Sequence, residues 1–217
     1  MLTQESIAAP ARDCVLCPRL AAYRAANQAA QPRWFNGPVP SFGPASARFL
    51  VVGMAPGVKG ANRTGRPFTG DHAGILLYQS LIKFGFATGT YAAEPDDGVE
   101  LHDCRIANAV RCAPPANLPE PKEVTTCNRF LAGELQGMPN LRIALALGVL
   151  AHAATLKACG IVPSRVKFQH GAVHTLPDGL LLANSYHVSR YNTSTRRLTT
   201  AMFEAVMFDI AGRLHRA

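Results

Sequence analysis

A chain of 217 residues that is 48% apolar suits one domain with a substantial core. No run of about 18 apolar residues occurs, so no membrane span is expected, and the opening "MLTQESIAAPARDC" lacks the basic-then-apolar pattern of a signal peptide. The net charge of +8, from 22 basic and 14 acidic residues, points to a polyanionic partner. No basic amphipathic helix suited to a membrane surface stands out, so nucleic acid is the expected partner and a cytoplasmic, nucleoid-associated location follows.

Residues 1–47 are rich in Ala, Pro and Arg, with "PRLAAYRAANQAA" predicting a short helix behind Cys14 and Cys17. "RFLVVG" (48–53) predicts a buried strand ended by glycine. The stretch "GMAPGVKGANRTGRPFTGDHAG" that starts at Gly53 carries six glycines and resembles a phosphate cradle, yet its one lysine is Lys59 and its one acid is Asp71. "HAGILLYQSLIKFGF" predicts a helix ending near Gly85, and 87–103 predicts a loop. "CRIANAVRC" (104–112) predicts a second strand, followed by a proline-rich connection and a helix near 122–136. "LRIALALG" (141–148) predicts a third strand, and "VLAHAATLKACG" a helix capped by Gly160. "AVHTLPDGLLLANSYHVS" predicts a hairpin turning at "PDG", and a last helix is expected over 195–214.

Strands and helices alternate, and the central strands are continuous apolar runs. That pattern predicts an α/β fold, a three-layer α/β/α sandwich with a central, mostly parallel four-stranded sheet in a single domain. Ligands of such folds bind beyond the carboxyl ends of the strands, where the glycine-rich loop, Asn108 and "SYHVS" are expected to converge.

Six cysteines in a reducing compartment favour metal ligation over disulfides for any that cluster. Cys14 and Cys17 form C-x2-C, and Cys112 and Cys127 bracket the proline-rich connection as C-x14-C. Zinc and a [4Fe–4S] cluster both accept four thiolates. The uneven, distant spacing suits a cluster better than a zinc ribbon, and buried free thiols are the third alternative. Cys104 and Cys159 fall in the interiors of predicted elements and are read as packing residues.

Taken together, "GMAPG" (53–57), "GRPFTGDHAG" (65–74), "NAVRCAPP" (108–115) and "HVS" (187–189), in this order behind C-x2-C, resemble the iron–sulfur branches of the uracil-DNA glycosylase superfamily. The match runs from Cys14 to about Thr199. "GANRTGRPFTGD" and "HVSRYNTSTRRLT" are similar to the type B (family 5) enzymes, although Arg196 stands where those carry glycine. Other branches place an acid or amide in the first loop, where this chain has Met54 and Ala55. The resemblance implies removal of uracil, and of other deaminated bases such as hypoxanthine and xanthine, from DNA by a monomer that leaves an abasic site. It implies a [4Fe–4S] cluster on Cys14, Cys17, Cys112 and Cys127.

Such an enzyme flips its target nucleotide into a pocket. Gly53, Ala55 and Phe68 are expected to form its wall, with Phe68 stacking on the base. Asn108 offers a donor and an acceptor to a base edge or to water. His187 can donate to the base oxygen on which charge develops. Asp71 precedes a predicted helix, where an N-cap is the ordinary role, but the resemblance makes it the catalytic acid. Ser189, Arg190, Tyr191, Asn192, Arg196 and Arg197 are expected to meet DNA, Tyr191 filling the gap that the flipped nucleotide leaves, and Arg63 and Arg66 to grip phosphate. The competing possibilities are a nucleic-acid-binding module on this fold that has lost catalysis, and a zinc-stabilised binding protein.

Overall fold

The computed structural model describes residues 9–216; residues 1–8, where the expected cysteine-bearing segment 1–47 begins, and Ala217 lie outside the described residues. In chain order the elements are α1 (Pro18–Ala30), β1 (Phe49–Gly53), α2 (Ala61–Thr64), α3 (His72–Lys83), β2 (Ala87–Thr88), β3 (Glu100–Leu101), β4 (Cys104–Asn108), α4 (Pro121–Gln136), β5 (Ile143–Leu147), α5 (Val149–Ala158), β6 (Val173–Thr175), β7 (Leu181–Ser185), α6 (Arg190–Ser194) and α7 (Thr200–Arg216). Among these helices none is long and apolar enough to cross a membrane.

The main sheet has the order β4-β1-β5-β7-β6. Its first four strands are parallel and β6 runs antiparallel to β7. The sheet therefore has five strands, not the expected four. The extra strand is the short, half-exposed first arm of the "PDG" hairpin, which closes through Leu176 N–H to Leu180 O and pairs along the edge of β7.

Every residue of β1 and β5 is buried, as their unbroken apolar runs require of strands covered on both faces. Side chains alternate between two cores. Phe49, Val51, Ile106 and Leu145 pack with α3 and α7, through Leu77, Leu81, Phe203 and Ile210. Leu50, Val52, Ala107 and Ala146 pack on the other face with α4 and α5, through Leu131 and Leu156. The result is the expected three-layer sandwich.

Three local readings need correction. The 87–103 segment holds the two-stranded hairpin β2–β3, whose arms of two residues are too short to show periodicity. The second strand stops at Asn108 rather than 112, because the chain turns away to bring Arg111 N–H onto Cys127 Sγ. The last helix begins at Thr200, since residues 190–194 form the separate single turn α6, capped by Ser189.

Candidate active site

The parallel register places Gly53 beside Asn108 at the carboxyl end of the sheet. A Cβ on Gly53 would lie 2.3 Å from Asn108 Oδ1 and 2.6 and 2.7 Å from two atoms of the Phe68 ring. The absent side chain thus leaves the spot on which an amide and an aromatic face converge. Asn108 is buried, and its Oδ1 has no hydrogen-bond partner. A buried, unpaired carboxamide oxygen is costly unless a ligand satisfies it.

Phe68 is held in an uncommon conformation, with φ +54°. Its carbonyl accepts from Tyr91 Oη at 2.9 Å, and Tyr91 stacks on Tyr78 with ring centroids 4.6 Å apart. A left-handed non-glycine residue costs roughly 1–2 kcal/mol, a strain that surrounding contacts must sustain. Arg66 contributes to those contacts. It forms a bidentate pair with Asp97 (2.8 Å on both arms) and lies over the Phe42 and Tyr78 rings. Arg66 is buried, so the expectation that it grips phosphate is corrected: it braces the Phe68 loop from inside.

His187 follows β7 and sits with its ring centroid 6.1 Å from that of Phe68. Burial pulls its pKa down to about 4, so the imidazole is neutral at pH 7 and donates one N–H. Its position is set from two sides. Asn192 Nδ2 donates to the His187 carbonyl at 2.8 Å, and Gly148, at φ +95°, brings the start of α5 against the His187 Cβ. Asn192, expected at the DNA surface, therefore turns its amide inward and positions the histidine.

Asp71 performs the cap role and lines the cleft at once. Oδ1 accepts from Ala73 N–H at 3.1 Å as the N-cap of α3. Oδ2 nestles against the glycine loop, where a Cβ on Gly57 or Gly60 would come within 2.7 or 2.2 Å. Burial raises the carboxyl pKa above its ordinary value, opposed by the hydrogen bonds from Ala73 and Gly74. The helix start is tied to α6 by His72 Nε2, 3.1 Å from Thr193 Oγ1.

Asp71 and His187 share an open cleft of about 800 Å³, whose wall also includes Met54, Ala55, Val149 and Arg190. Lys59 of the glycine-rich loop reaches it as well, as do Tyr23 and Asn117, which sequence reasoning missed because no motif marks them. Of the expected DNA contacts, Ser189 and Arg190 line the cleft, and Tyr191 is 70% exposed beside them. Arg196 is exposed, and Arg197 lies 4.9 Å over the Tyr186 ring. Arg63 is paired with Glu94 at 3.0 Å.

Cys14, Cys17, Cys112 and Cys127 line one largely enclosed cavity between α1 and α4, floored by Leu20 and Val110. Burial pushes the Cys127 thiol up to about 11 and raises Cys17 and Cys112 as well. Donors face two of the sulfurs: Arg111 N–H on Cys127 at 3.4 Å and Arg24 Nη1 on Cys112 at 3.5 Å. Among the described residues no three His, Cys, Asp or Glu side chains converge closely enough to chelate a single ion. Ala55 packs against the cavity's apolar floor and also lines the cleft, so the two sites share a wall.

A family model of the uracil DNA glycosylase superfamily matches residues 40–211. The chain belongs to that superfamily. Within it, the chain is 45% identical over 202 residues to the type-5 uracil-DNA glycosylase of Thermus thermophilus, covering 90% of this chain and 91% of that one. It is 39% identical over 199 residues to the type-5 uracil-DNA glycosylase of Pyrobaculum aerophilum, covering 90% and 86%. Likeness to the type-4 uracil-DNA glycosylase of Thermotoga maritima is shorter, 34% over 105 residues, covering 48% of this chain. The type-5 relatives indicated by "GANRTGRPFTGD" thus match over about nine-tenths of the chain.

Proposed function

We propose that the protein is a monofunctional DNA glycosylase that takes a flipped uracil into the cleft and hydrolyses its glycosidic bond, leaving an abasic site. The observation that carries this reading is the buried, unpaired Asn108 carboxamide oxygen facing Phe68 across Gly53. The type-5 relatives' names, which specify uracil and DNA, agree with it.

In this reading Phe68 stacks on the base and Asn108 pairs with its edge. As the bond breaks, the base becomes anionic and the sugar cationic. Neutral His187 donates a hydrogen bond to the base oxygen, and the Asp71 carboxylate faces the sugar side, where it orients water and offsets the cation. The apolar Met54 and Ala55 supply no acid, so Asp71 is the group left for that role. The proposal extends to hypoxanthine and xanthine, the further substrates that the family resemblance implies. The enzyme acts as a monomer on chromosomal DNA in the cytoplasm.

Cys14, Cys17, Cys112 and Cys127 would hold a [4Fe–4S] cluster. All four cysteines line one cavity, and four thiolates are the ordinary ligand set of such a cluster. The Arg24 guanidinium and the Arg111 N–H, aimed at the Cys112 and Cys127 sulfurs, suit thiolates. Bound there, the group would pin α1 to α4 and to the chain beyond β4.

The test uses labelled duplexes bearing uracil, hypoxanthine or xanthine, incubated with the protein and then treated with alkali. Alkali-dependent cleavage at the lesion is expected. Binding without alkali-labile product would make the chain a DNA-binding module, and cleavage without alkali would give Lys59, the cleft lysine, a lyase role.

A further inference from the structure

We infer that Leu118 is a second wedge, an apolar side chain that enters the base stack where the nucleotide has been flipped out, from the rim of the cleft opposite Tyr191. The inference rests on the glycosylase reading above. Leu118 is 64% exposed and follows Asn117, which lines the cleft. Its loop is built to hold it there. Ala116 and Asn117 both adopt left-handed backbone, at φ +53° and +55°, a conformation that non-glycine residues rarely take. The turn is closed by Asn117 N–H to Pro114 O at 3.1 Å and Leu118 N–H to Pro115 O at 3.2 Å. Arg19 Nη2 donates to the Leu118 carbonyl at 3.2 Å, and Arg19 is itself clamped to Glu123 at 2.8 and 2.7 Å. The backbone is thus fixed while the side chain projects into solvent.

The fold sets where the loops that carry Leu118 and Tyr191 begin. Loops leaving β4 and β7 emerge from the same end of the sheet with β1 and β5 between them. Three strand spacings of about 4.8 Å separate the carboxyl ends of β4 and β7 by roughly 14 Å, and the two loops set out from those ends. Arg190 and Lys59 line the cleft. Two exposed apolar tips on loops from the same end of the sheet suit a duplex whose flipped nucleotide enters the cleft and whose opened step receives a side chain. Wedges of Leu and aromatic type are what unstacked base steps accept. A loop meant for phosphate alone would carry basic or hydroxyl side chains at its tip.

The test separates duplex from single strand, because a wedge matters only where a stack must be opened. Single-turnover excision is measured for Leu118→Ala and Leu118→Phe on a uracil–guanine duplex and on the uracil strand alone, with 2-aminopurine beside the target reporting flipping independently of chemistry. Leu118→Ala is expected to slow duplex excision about tenfold or more and to shrink the fluorescence rise. On single strands the loss should stay under about twofold, and Leu118→Phe should restore the duplex rate. An equal loss on both substrates, or no loss on the duplex, overturns the wedge; the second outcome would leave Leu118 to a protein partner. No excision by the wild-type protein on either substrate would instead sink the glycosylase reading. The fluorescence rise would then decide the wedge on its own. The side chain is largely exposed, so unfolding is not expected, and unchanged thermal melts check that.

Discussion

Gly53→Ala puts one methyl group where the site is tightest. The added carbon would stand 2.3 Å from Asn108 Oδ1 and 2.6 Å from the nearest Phe68 ring atom. Carbon atoms rest about 3.5–4.0 Å apart, so the ring must retreat by roughly 1 Å. Neither neighbour yields easily: Asn108 is a buried strand residue, and Phe68 is tethered through its carbonyl to Tyr91. Gly53 has no positive φ, so the backbone accepts alanine and the effect is steric. Misplacing a pocket wall by about 1 Å lowers the single-turnover rate roughly a hundredfold. Overpacking costs about 1–3 kcal/mol of stability. Affinity for undamaged duplex, set by phosphate contacts, should not change. The assay pairs single-turnover excision from a uracil duplex with fluorescence anisotropy on undamaged DNA and a thermal melt. Gly179→Ala is the control, because that glycine has φ +87° with open space around it and should lose stability alone. A Gly53→Ala rate within about threefold of wild type, despite a lowered melting temperature, would show that the convergence of Gly53, Phe68 and Asn108 is not the base site.

Asp71→Asn keeps an acceptor for the Ala73 N–H but loses the charge, so it should slow excision about a hundredfold with little change in melting temperature; Asp71→Ala should also lose about 1 kcal/mol of capping. Excision by the wild type should stay level from pH 8 through 6.5 and fall at an acidic limb above the ordinary Asp value of 3.8, since burial raises Asp71 and holds His187 near 4. An inflection at 6.5 would mean that His187 is not held neutral. In stability the two groups act oppositely. Asp71 contributes stability below 3.8 that is lost as pH rises through its raised value, whereas His187 contributes above 6.5 and its share is lost as pH falls towards 4, as acid and alkaline melts will show. Arg196 holds φ +58°, so Arg196→Gly should raise the melting temperature by about 2–4 °C while weakening DNA binding at low salt; an unchanged or lower melting temperature would mean that the side chain's contacts outweigh the strain. The proposed cluster predicts that the purified protein is brown and that Cys17→Ala loses both the colour and soluble yield; full visible absorbance in the variant would remove Cys17 from the ligand set.

What the sequence disclosed depended on how local the cause was. The unbroken apolar runs of β1 and β5 report burial on both faces, and those strands lie where the pattern put them. Asn108 was legible because a polar residue ending an apolar strand needs a reason. Arg66 was not: beside a glycine-rich loop it reads as a surface cation, and only the fold supplies Asp97, 31 residues away, to bury it. Asn192 misled in the same way, since nothing local says that its amide turns back onto the His187 carbonyl. Tyr91 sits in what reads as a featureless loop, and its purpose appears only when its hydroxyl is seen to meet the Phe68 carbonyl. The glycine at 74 held an unread clue: a Cβ there would strike the Phe68 carbonyl at 1.9 Å and the Tyr91 hydroxyl at 2.0 Å.

An N-cap and the catalytic role proposed for Asp71 are compatible in this geometry. A helix N-terminus concentrates unpaired N–H groups and a partial positive charge, which favours a carboxylate. That favourable term works against burial, which raises the pKa, and the balance lets an acid stay ionised in a cleft lined by Met54, Ala55 and Val58. The cap also fixes the rotamer, because Oδ1 is held by Ala73 while Oδ2 is left facing the glycine loop. Any side chain at Gly57 or Gly60 would close that space. Gly57 and Gly60 therefore make room for the Asp71 carboxylate rather than for a phosphate.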